Sequence, residues 1–129
     1  MSGRYLLDTN IIIALFANES AVVDQLSLAE EVFIPCIAIG ELYYGARKSV
    51  KVTENLQRID DFVAVSGVLN CDHGTARQYG EIKAELRSKG HPIPENDLWI
   101  GALSFQYDLI LVSRDTHFKE IPDLNLESW

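Results

Sequence analysis

Four carboxylates stand in this sequence where metal chemistry is possible: Asp8, Glu41, Asp97 and Asp115. Glu41 and Asp97 each interrupt a mainly apolar segment, where an unpaired charge is costly, so such acids are paired, protonated or bound to a cation. Carboxylate oxygens are good ligands for hard ions such as Mg²⁺ and Mn²⁺ and poor ligands for Zn²⁺. One or two such ions would lower the pKa of a bound water and stabilise the transition state of phosphoryl transfer.

The net charge bears on which substrates are possible. The chain has 129 residues, with 11 basic and 19 acidic side chains and a formal charge of −8, and such a surface repels nucleic acid. Divalent cations bound by acids reverse the sign locally, at the point where a substrate phosphate must sit. Any action on nucleic acid therefore needs a special device, and an acidic cluster that holds metal is one such device. The histidines His73, His91 and His117 lack the spacing of ligands, and a zinc site is not expected.

Alternating strands and helices are predicted to position these acids. Short apolar runs indicate strands, and apolar residues at helical spacing indicate the helices between them. The predicted strands are Arg4–Leu7, Val32–Pro35, Val68–Leu69, Leu109–Val112 and an edge strand at Leu124–Leu126. The predicted helices are Ile11–Phe16, Ile37–Arg47, Val52–Val63, Ala76–Leu86 and Asn96–Tyr107. This alternation is typical of an α/β/α sandwich with a mostly parallel sheet and helices on both faces.

The predicted sheet brings the acids toward one edge, because the carboxyl ends of parallel strands meet there. Asp8 directly follows the first strand, and Asp115 follows the Leu109–Val112 strand by three residues. Asp97 opens the helix that leads into that same strand, and Glu41 lies in the helix after the second strand. Converging carboxylates without a cation repel one another, so at least one should have a raised pKa. The competing interpretation is structural, since Asp commonly caps helices at such turns.

Size and composition indicate one folded domain over residues 1–129, because the chain is too short for two independent cores. Apolar residues make up 47% and charged residues 23%, which excludes a disordered chain. The longest apolar stretch, Ile11–Ala17, is too short to span a membrane, and the first residues do not resemble a signal peptide, so a cytoplasmic location is expected. Cys36 and Cys71 fit neither a disulfide framework nor a metal motif and are interpreted as buried free thiols.

The order and spacing of four motifs resemble the PIN-domain ribonucleases, and more narrowly the VapC-type toxins of toxin–antitoxin pairs. The resemblance extends from about Arg4 to about Leu126, and its motifs are specific only in combination. The motifs are Leu7-Asp8-Thr9-Asn10, Glu41-Leu42 with Gly45-Ala46, Asn96-Asp97-Leu98-Trp99-Ile100-Gly101-Ala102, and Leu111-Val112-Ser113-Arg114-Asp115 with His117-Phe118.

The resemblance implies a five-stranded parallel sheet, dependence on Mg²⁺ or Mn²⁺, a homodimer, and inhibition by a cognate antitoxin. It also implies hydrolysis of RNA phosphodiester bonds that leaves 5′-phosphate and 3′-hydroxyl ends. An acidic groove favours an antitoxin with a basic segment that lies across the carboxylates. The family's acidic quartet is matched by Asp8, Glu41, Asp97 and Asp115. Relatives of this sort often carry Asn at position 115, and the Asp here adds a negative charge that favours a second metal ion.

Three polar residues match family positions beside the quartet: Thr9, Asn10 and Ser113. They are predicted to orient the acids, but Thr9 or Asn10 can equally cap the first helix, and Ser113 can simply end a strand.

Cations for binding RNA outside the metal site are less well defined. One basic cluster, at the end of the helix of Glu41, consists of Arg47, Lys48 and Lys51, and a second consists of Lys83, Arg87 and Lys89. Arg114, which adjoins Asp115, is the cation nearest to the site in sequence. The competing interpretation of both clusters is that they are solvated helix ends. Tyr43 and Tyr44 can stack on a base or pack in a dimer face. The alternative function is a non-catalytic PIN-like binding module acting through a partner complex, although an intact quartet favours the nuclease.

Overall fold

The structure, a computed structural model, describes residues 3–129, so residues 1 and 2 of the predicted domain lie outside it. The strands are β1 (Arg4–Leu7), β2 (Glu31–Pro35), β3 (Gly67–Leu69), β4 (Ile110–Val112) and β5 (Leu126–Glu127). The helices are α1 (Thr9–Phe16), α2 (Ser20–Leu28), α3 (Cys36–Arg47), α4 (Val52–Ala64), α5 (His73–Ser88), α6 (Glu95–Tyr107) and a 3₁₀ helix (Thr116–Glu120). All strand pairs are parallel, in the order β3-β2-β1-β4-β5, which confirms the predicted five-stranded parallel sheet.

Apolar residues on both faces of β1 and β4 explain the helical layers. Successive side chains of a strand point to opposite faces, so Tyr5 and Leu7 pack with residues of α1 to α4, whereas Leu6 packs with α5 and α6. In β4, Val112 packs with residues of α1 to α4, and Leu111 packs with α5 and α6. The α/β/α sandwich is therefore confirmed, with β1 at its centre and β4 beside it.

Three elements differ most from the sequence prediction: α2, β5 and the 3₁₀ helix Thr116–Glu120, which was not predicted. The helix α2 was not predicted, because it buries Val22 while most of its other side chains are exposed, so its apolar pattern is weak. The edge strand β5 begins two residues later and ends one residue later than predicted, and its Leu126 and Glu127 pair with β4. Only two residues pair in this strand, which leaves little sequence pattern to fix its bounds.

The two cysteines were predicted to be buried free thiols, and the burial was wrong. Cys36 and Cys71 are free but half-buried, with their Sγ atoms 4.0 Å apart. Cys36 begins α3 and Cys71 lies between β3 and α5, so both cysteines are at the edge of the sheet where the strands end.

Within residues 3–129, no single helix has both the length and the apolar character needed to cross a membrane; α1 and α2, which meet at 107°, reach that threshold only together.

Candidate metal centre

Asp8 lies at the centre of the carboxyl edge, between the end of β1 and the start of α1, and is 5% exposed. Its Oδ1 accepts a hydrogen bond from the Thr9 backbone N–H (2.8 Å), and its Oδ2 accepts one from Ser113 Oγ (2.7 Å). Burial raises the pKa of Asp8; the Ser113 and Thr9 hydrogen bonds oppose this, and the charges of Glu41 and Asp115 raise it further. The helix cap at this turn is Asp8 itself, not Thr9 or Asn10.

The three polar residues beside the quartet connect its members. Ser113, 3% exposed, donates to Asp8 and accepts a hydrogen bond from the Asp115 backbone N–H (3.0 Å), so one hydroxyl fixes two acids from adjacent strands. Asn10 Nδ2 lies 3.4 Å from Asp8 Oδ2. Thr9 Oγ1 donates to Glu41 Oε1 (2.9 Å). These contacts show that the three side chains touch the acids; that they orient the acids stays a prediction.

Asp97 reaches the same edge from the first turn of α6. This helix leads back into β4, so its N-terminus lies beside the carboxyl ends of the strands. Asp97 is 9% exposed, and burial raises its pKa to about 6, with the His117 hydrogen bond opposing the shift and the charges of Asp115 and Asp8 adding to it. The expected raised pKa is therefore found at Asp8 and Asp97, but burial rather than repulsion is its main cause.

His117 belongs to this cluster, contrary to the expectation that the histidines lack ligand spacing. Its Nδ1 lies 3.1 Å from Asp97 Oδ2 and 3.0 Å from Asp115 Oδ1. The hydrogen bond with Asp97 raises the pKa of His117 above its ordinary value. The sequence signal was the Asp-x-His spacing that begins three residues after a strand, which places both side chains at the same sheet edge.

Glu41 is exposed on α3, so its apolar neighbours in sequence did not indicate burial. Every third or fourth residue of the helix faces the core, as Ala38, Leu42 and Ala46 do, and Glu41 lies on the other side. Its carboxylate joins the cluster through the hydrogen bond from Thr9.

The predicted substrate-binding cations lie in two different settings. Arg47 and Lys48 are exposed at the end of α3, and the Lys48 ammonium lies 4.3 Å from the centre of the Tyr44 ring. Arg114 is already engaged, because its guanidinium pairs with Glu19 (2.9 Å) and donates to the Trp129 carbonyl oxygen (2.9 Å). We therefore expect phosphate contacts from the end of α3 rather than from Arg114.

The two adjacent tyrosines of α3 have separate surroundings. Tyr43 is half-buried and donates a hydrogen bond to Asp60 on α4, whereas Tyr44 is 64% exposed and lies beside Glu41 and Asn96 in a shallow groove. Of the pair, Tyr44 is therefore the side chain that can meet another molecule.

The donor set fits a divalent cation. Asp97, Asp115 and His117 each offer a ligand atom, and these atoms all lie within 4.8 Å of one another. Asp8 adds a buried carboxylate that is close enough for Asp115 to raise its pKa. A cation would relieve this repulsion and the desolvation of both buried acids.

Comparison with known proteins identifies the family. A model of the PIN domain matches residues 5–124, nearly the whole chain. The chain is 35% identical over 129 residues to ribonuclease VapC2 of Haemophilus influenzae, and the match covers 98% of each protein. This chain belongs to the PIN-domain family.

Solved structures support the same assignment for this PIN domain. It superposes on VapBC from Salmonella typhimurium bound to DNA with a TM-score of 0.90 and 30% identity, over 100% of this chain and 99% of that one. The TM-score is 0.89, with 32% identity, for VapBC2 from Rickettsia felis bound to a promoter DNA fragment, over 97% and 98% of the two chains. The resemblance to VapC-type proteins that the motifs indicated is confirmed.

Removing the Ser113 hydroxyl should loosen the acidic cluster of this PIN domain. We expect Ser113→Ala to weaken binding of Mn²⁺ by about tenfold, the effect of losing a group that orients ligands. The matched control is Ser104→Ala, because Ser104 is equally buried but donates to the Leu109 carbonyl oxygen (2.7 Å), at the opposite end of α6 from Asp97. Ser104→Ala should lose about 1 kcal/mol of unfolding free energy, and Ser113→Ala about 1.5–3 kcal/mol, because its hydroxyl donates to a carboxylate. Equal Mn²⁺ affinity in the two variants, measured by calorimetry, would remove the orienting role from Ser113.

Proposed function

We propose that this chain is an endoribonuclease, the toxin of a toxin–antitoxin pair, that hydrolyses RNA with Mg²⁺ or Mn²⁺ held by its acidic quartet. The observation that carries the proposal is the convergence of Asp8, Asp97 and Asp115 at one sheet edge, two of them buried with raised pKa values. Buried acids that repel one another lower the stability of the fold, and a cation bound between them would offset this loss.

The four acids of the chain would have different roles in this reaction. Asp8, Asp97 and Asp115 would hold one or two ions, and Glu41, exposed at the rim, would complete the set or receive the proton of the attacking water. The bound ion supplies charge stabilisation and a more acidic water, so no protein nucleophile is required. Such hydrolysis leaves 5′-phosphate and 3′-hydroxyl ends.

RNA contacts outside the metal centre are proposed at the end of α3. Arg47 and Lys48 are exposed there, and Tyr44 lies between Lys48 and Glu41 along the helix. These cations would hold phosphates on either side of the cleaved bond, while the ring can stack on a base. A relative in Shigella flexneri, 34% identical over 98% of each protein, is named tRNA(fMet)-specific endonuclease VapC. Structured RNA is accordingly the first substrate class to test. We further propose that the chain acts as a homodimer in the cytoplasm.

RNA-end sequencing of cells tests the proposed activity. Brief induction of the chain should create new 5′-phosphate ends in cellular RNA, and the same induction of Asp97→Asn should create none. The alternative is a non-catalytic module that acts through a partner complex. If induction of neither protein creates new RNA ends, although the parent is folded and binds its partner, the result would favour that alternative.

The antitoxin should have a basic segment that competes with metal. The Salmonella and Rickettsia relatives are solved as VapBC complexes, which supports a VapB-like partner for this chain. An Arg inserted across Asp8 and Asp97 would make charge-assisted, two-pronged hydrogen bonds. We expect Asp8→Asn or Asp97→Asn to weaken the complex by at least about tenfold, measured with the co-purified partner. If the affinity for the partner is unchanged in these variants, or if added Mn²⁺ does not weaken the complex of the parent, the partner binds elsewhere on the surface.

A further inference from the structure

We propose that the His117 imidazole is itself a ligand of the metal, and that this nitrogen makes the centre select Mn²⁺ over Mg²⁺. The inference rests on the proposed function, because it concerns the ion held by the same acids. It adds a residue outside the acidic quartet and a consequence for the choice of ion.

The position of the ring carries the inference. Nδ1 of His117 faces two carboxylate oxygens at once, Asp97 Oδ2 at 3.1 Å and Asp115 Oδ1 at 3.0 Å. Neighbouring ligands around a small six-coordinate ion with bonds of about 2.1 Å are separated by about 3.0 Å. These spacings suit adjacent ligands of one ion, and the proton of the hydrogen bond between Nδ1 and Asp97 would be released when the ion binds.

The backbone holds the ring in this position. Asp115 caps the 3₁₀ helix by accepting a hydrogen bond from the His117 backbone N–H (2.9 Å), and the next residue, Phe118, is completely buried. The core thus anchors the turn immediately after His117. The imidazole side chain is 49% exposed, so the ring lies at the solvent-facing side of the cluster, where an ion from solution can approach it.

The ligand chemistry gives the direction of selectivity. Mg²⁺ binds oxygen almost exclusively and exchanges its waters reluctantly. Mn²⁺ also favours oxygen ligands, but as a transition ion it accepts an imidazole nitrogen more readily than Mg²⁺ does. Replacing one oxygen ligand by nitrogen therefore raises the affinity for Mn²⁺ relative to Mg²⁺. A centre made of carboxylates alone would not show this bias to the same degree.

The test compares His117→Gln with a matched control, His91→Gln. His91 is similarly exposed, and its Nδ1 also lies beside a carboxylate, 3.6 Å from Glu120 Oε2. With Mn²⁺ bound to the parent protein, electron spin echo envelope modulation should detect a directly bound imidazole nitrogen. His117→Gln should lose this signal and bind Mn²⁺ about tenfold more weakly by calorimetry, while its Mg²⁺ affinity changes less than threefold. His91→Gln should retain the signal and both affinities.

The outcomes separate this inference from the proposed function. Parent protein that binds Mn²⁺ and cleaves RNA without any imidazole signal would overturn the inference and leave the nuclease intact. Equal losses of Mn²⁺ and Mg²⁺ affinity in His117→Gln would also overturn it, because His117 would then act only by positioning the acids. Parent protein that binds neither ion would overturn both proposals.

Discussion

The Asp97→Asn protein should cleave RNA at least about 100-fold more slowly than the parent, yet stay folded. The substitution removes a charged oxygen from the centre of the acidic cluster, and the loss of a metal ligand or of its close support has effects of this size. In the metal-free protein at pH 7 the same change removes a buried charge that Asp115 and Asp8 repel. The melting temperature without metal should therefore be unchanged or higher.

The matched control for this substitution is Asp61→Asn, which makes the same chemical change on α4, where Asp61 accepts a hydrogen bond from Gln57. This variant should retain the parental cleavage rate. If Asp97→Asn instead melts early without metal, the carboxylate is a structural hydrogen-bonding group. A parental cleavage rate in Asp97→Asn would exclude Asp97 from the site altogether.

Mg²⁺ or Mn²⁺ should stabilise the parent protein strongly, and the gain should disappear at acid pH. Binding to the folded state alone contributes RT ln(1 + [M]/Kd), about 2.7 kcal/mol when the ion is in hundredfold excess over Kd. Folded Asp97 has a pKa of about 6, above its ordinary value of 3.8. Protons therefore compete with the ion as the pH falls toward 6 and below, and the gain is largest above that value.

Without metal, the contribution of Asp97 to the stability of the protein should fall, rather than rise, as the pH increases. Because the folded pKa of Asp97 is the raised one, its contribution to stability is fully present below about pH 4 and is lost as the pH rises through about 6. Melting curves of parent and Asp97→Asn, with EDTA and with Mn²⁺, at pH 5 and pH 7.5, measure both trends. Equal stabilisation by Mn²⁺ at the two pH values, or in both proteins, would contradict this account.

The convergence of the acids was predictable because it follows from topology. Once Asp8 and Asp115 are placed after parallel strands, the sheet itself brings them to one edge, whatever the details of packing. Asp97 follows from the same reasoning, since a helix that leads into β4 must begin near the carboxyl ends of the strands. Local sequence was sufficient for these three positions.

What the sequence could not provide depends on orientation in three dimensions. Glu41 has apolar neighbours along the chain but lies on the outer side of α3, because a helix turns about 100° per residue. His117 seemed isolated, and only the 3₁₀ turn anchored by Phe118 directs its ring to Asp97. Arg114 adjoins Asp115 in sequence, but its long side chain reaches away to Glu19.

Cleavage of one end-labelled RNA by the purified chain, freed of its partner, tests the central claim most directly. Matched reactions contain EDTA, Mg²⁺ or Mn²⁺, and the products are examined for 5′-phosphate and 3′-hydroxyl ends. We predict cleavage only with metal, products with those ends, and a loss of at least about 100-fold in Asp97→Asn. Full activity in EDTA, or products with 2′,3′-cyclic phosphate ends, would contradict hydrolysis by a metal-bound carboxylate cluster.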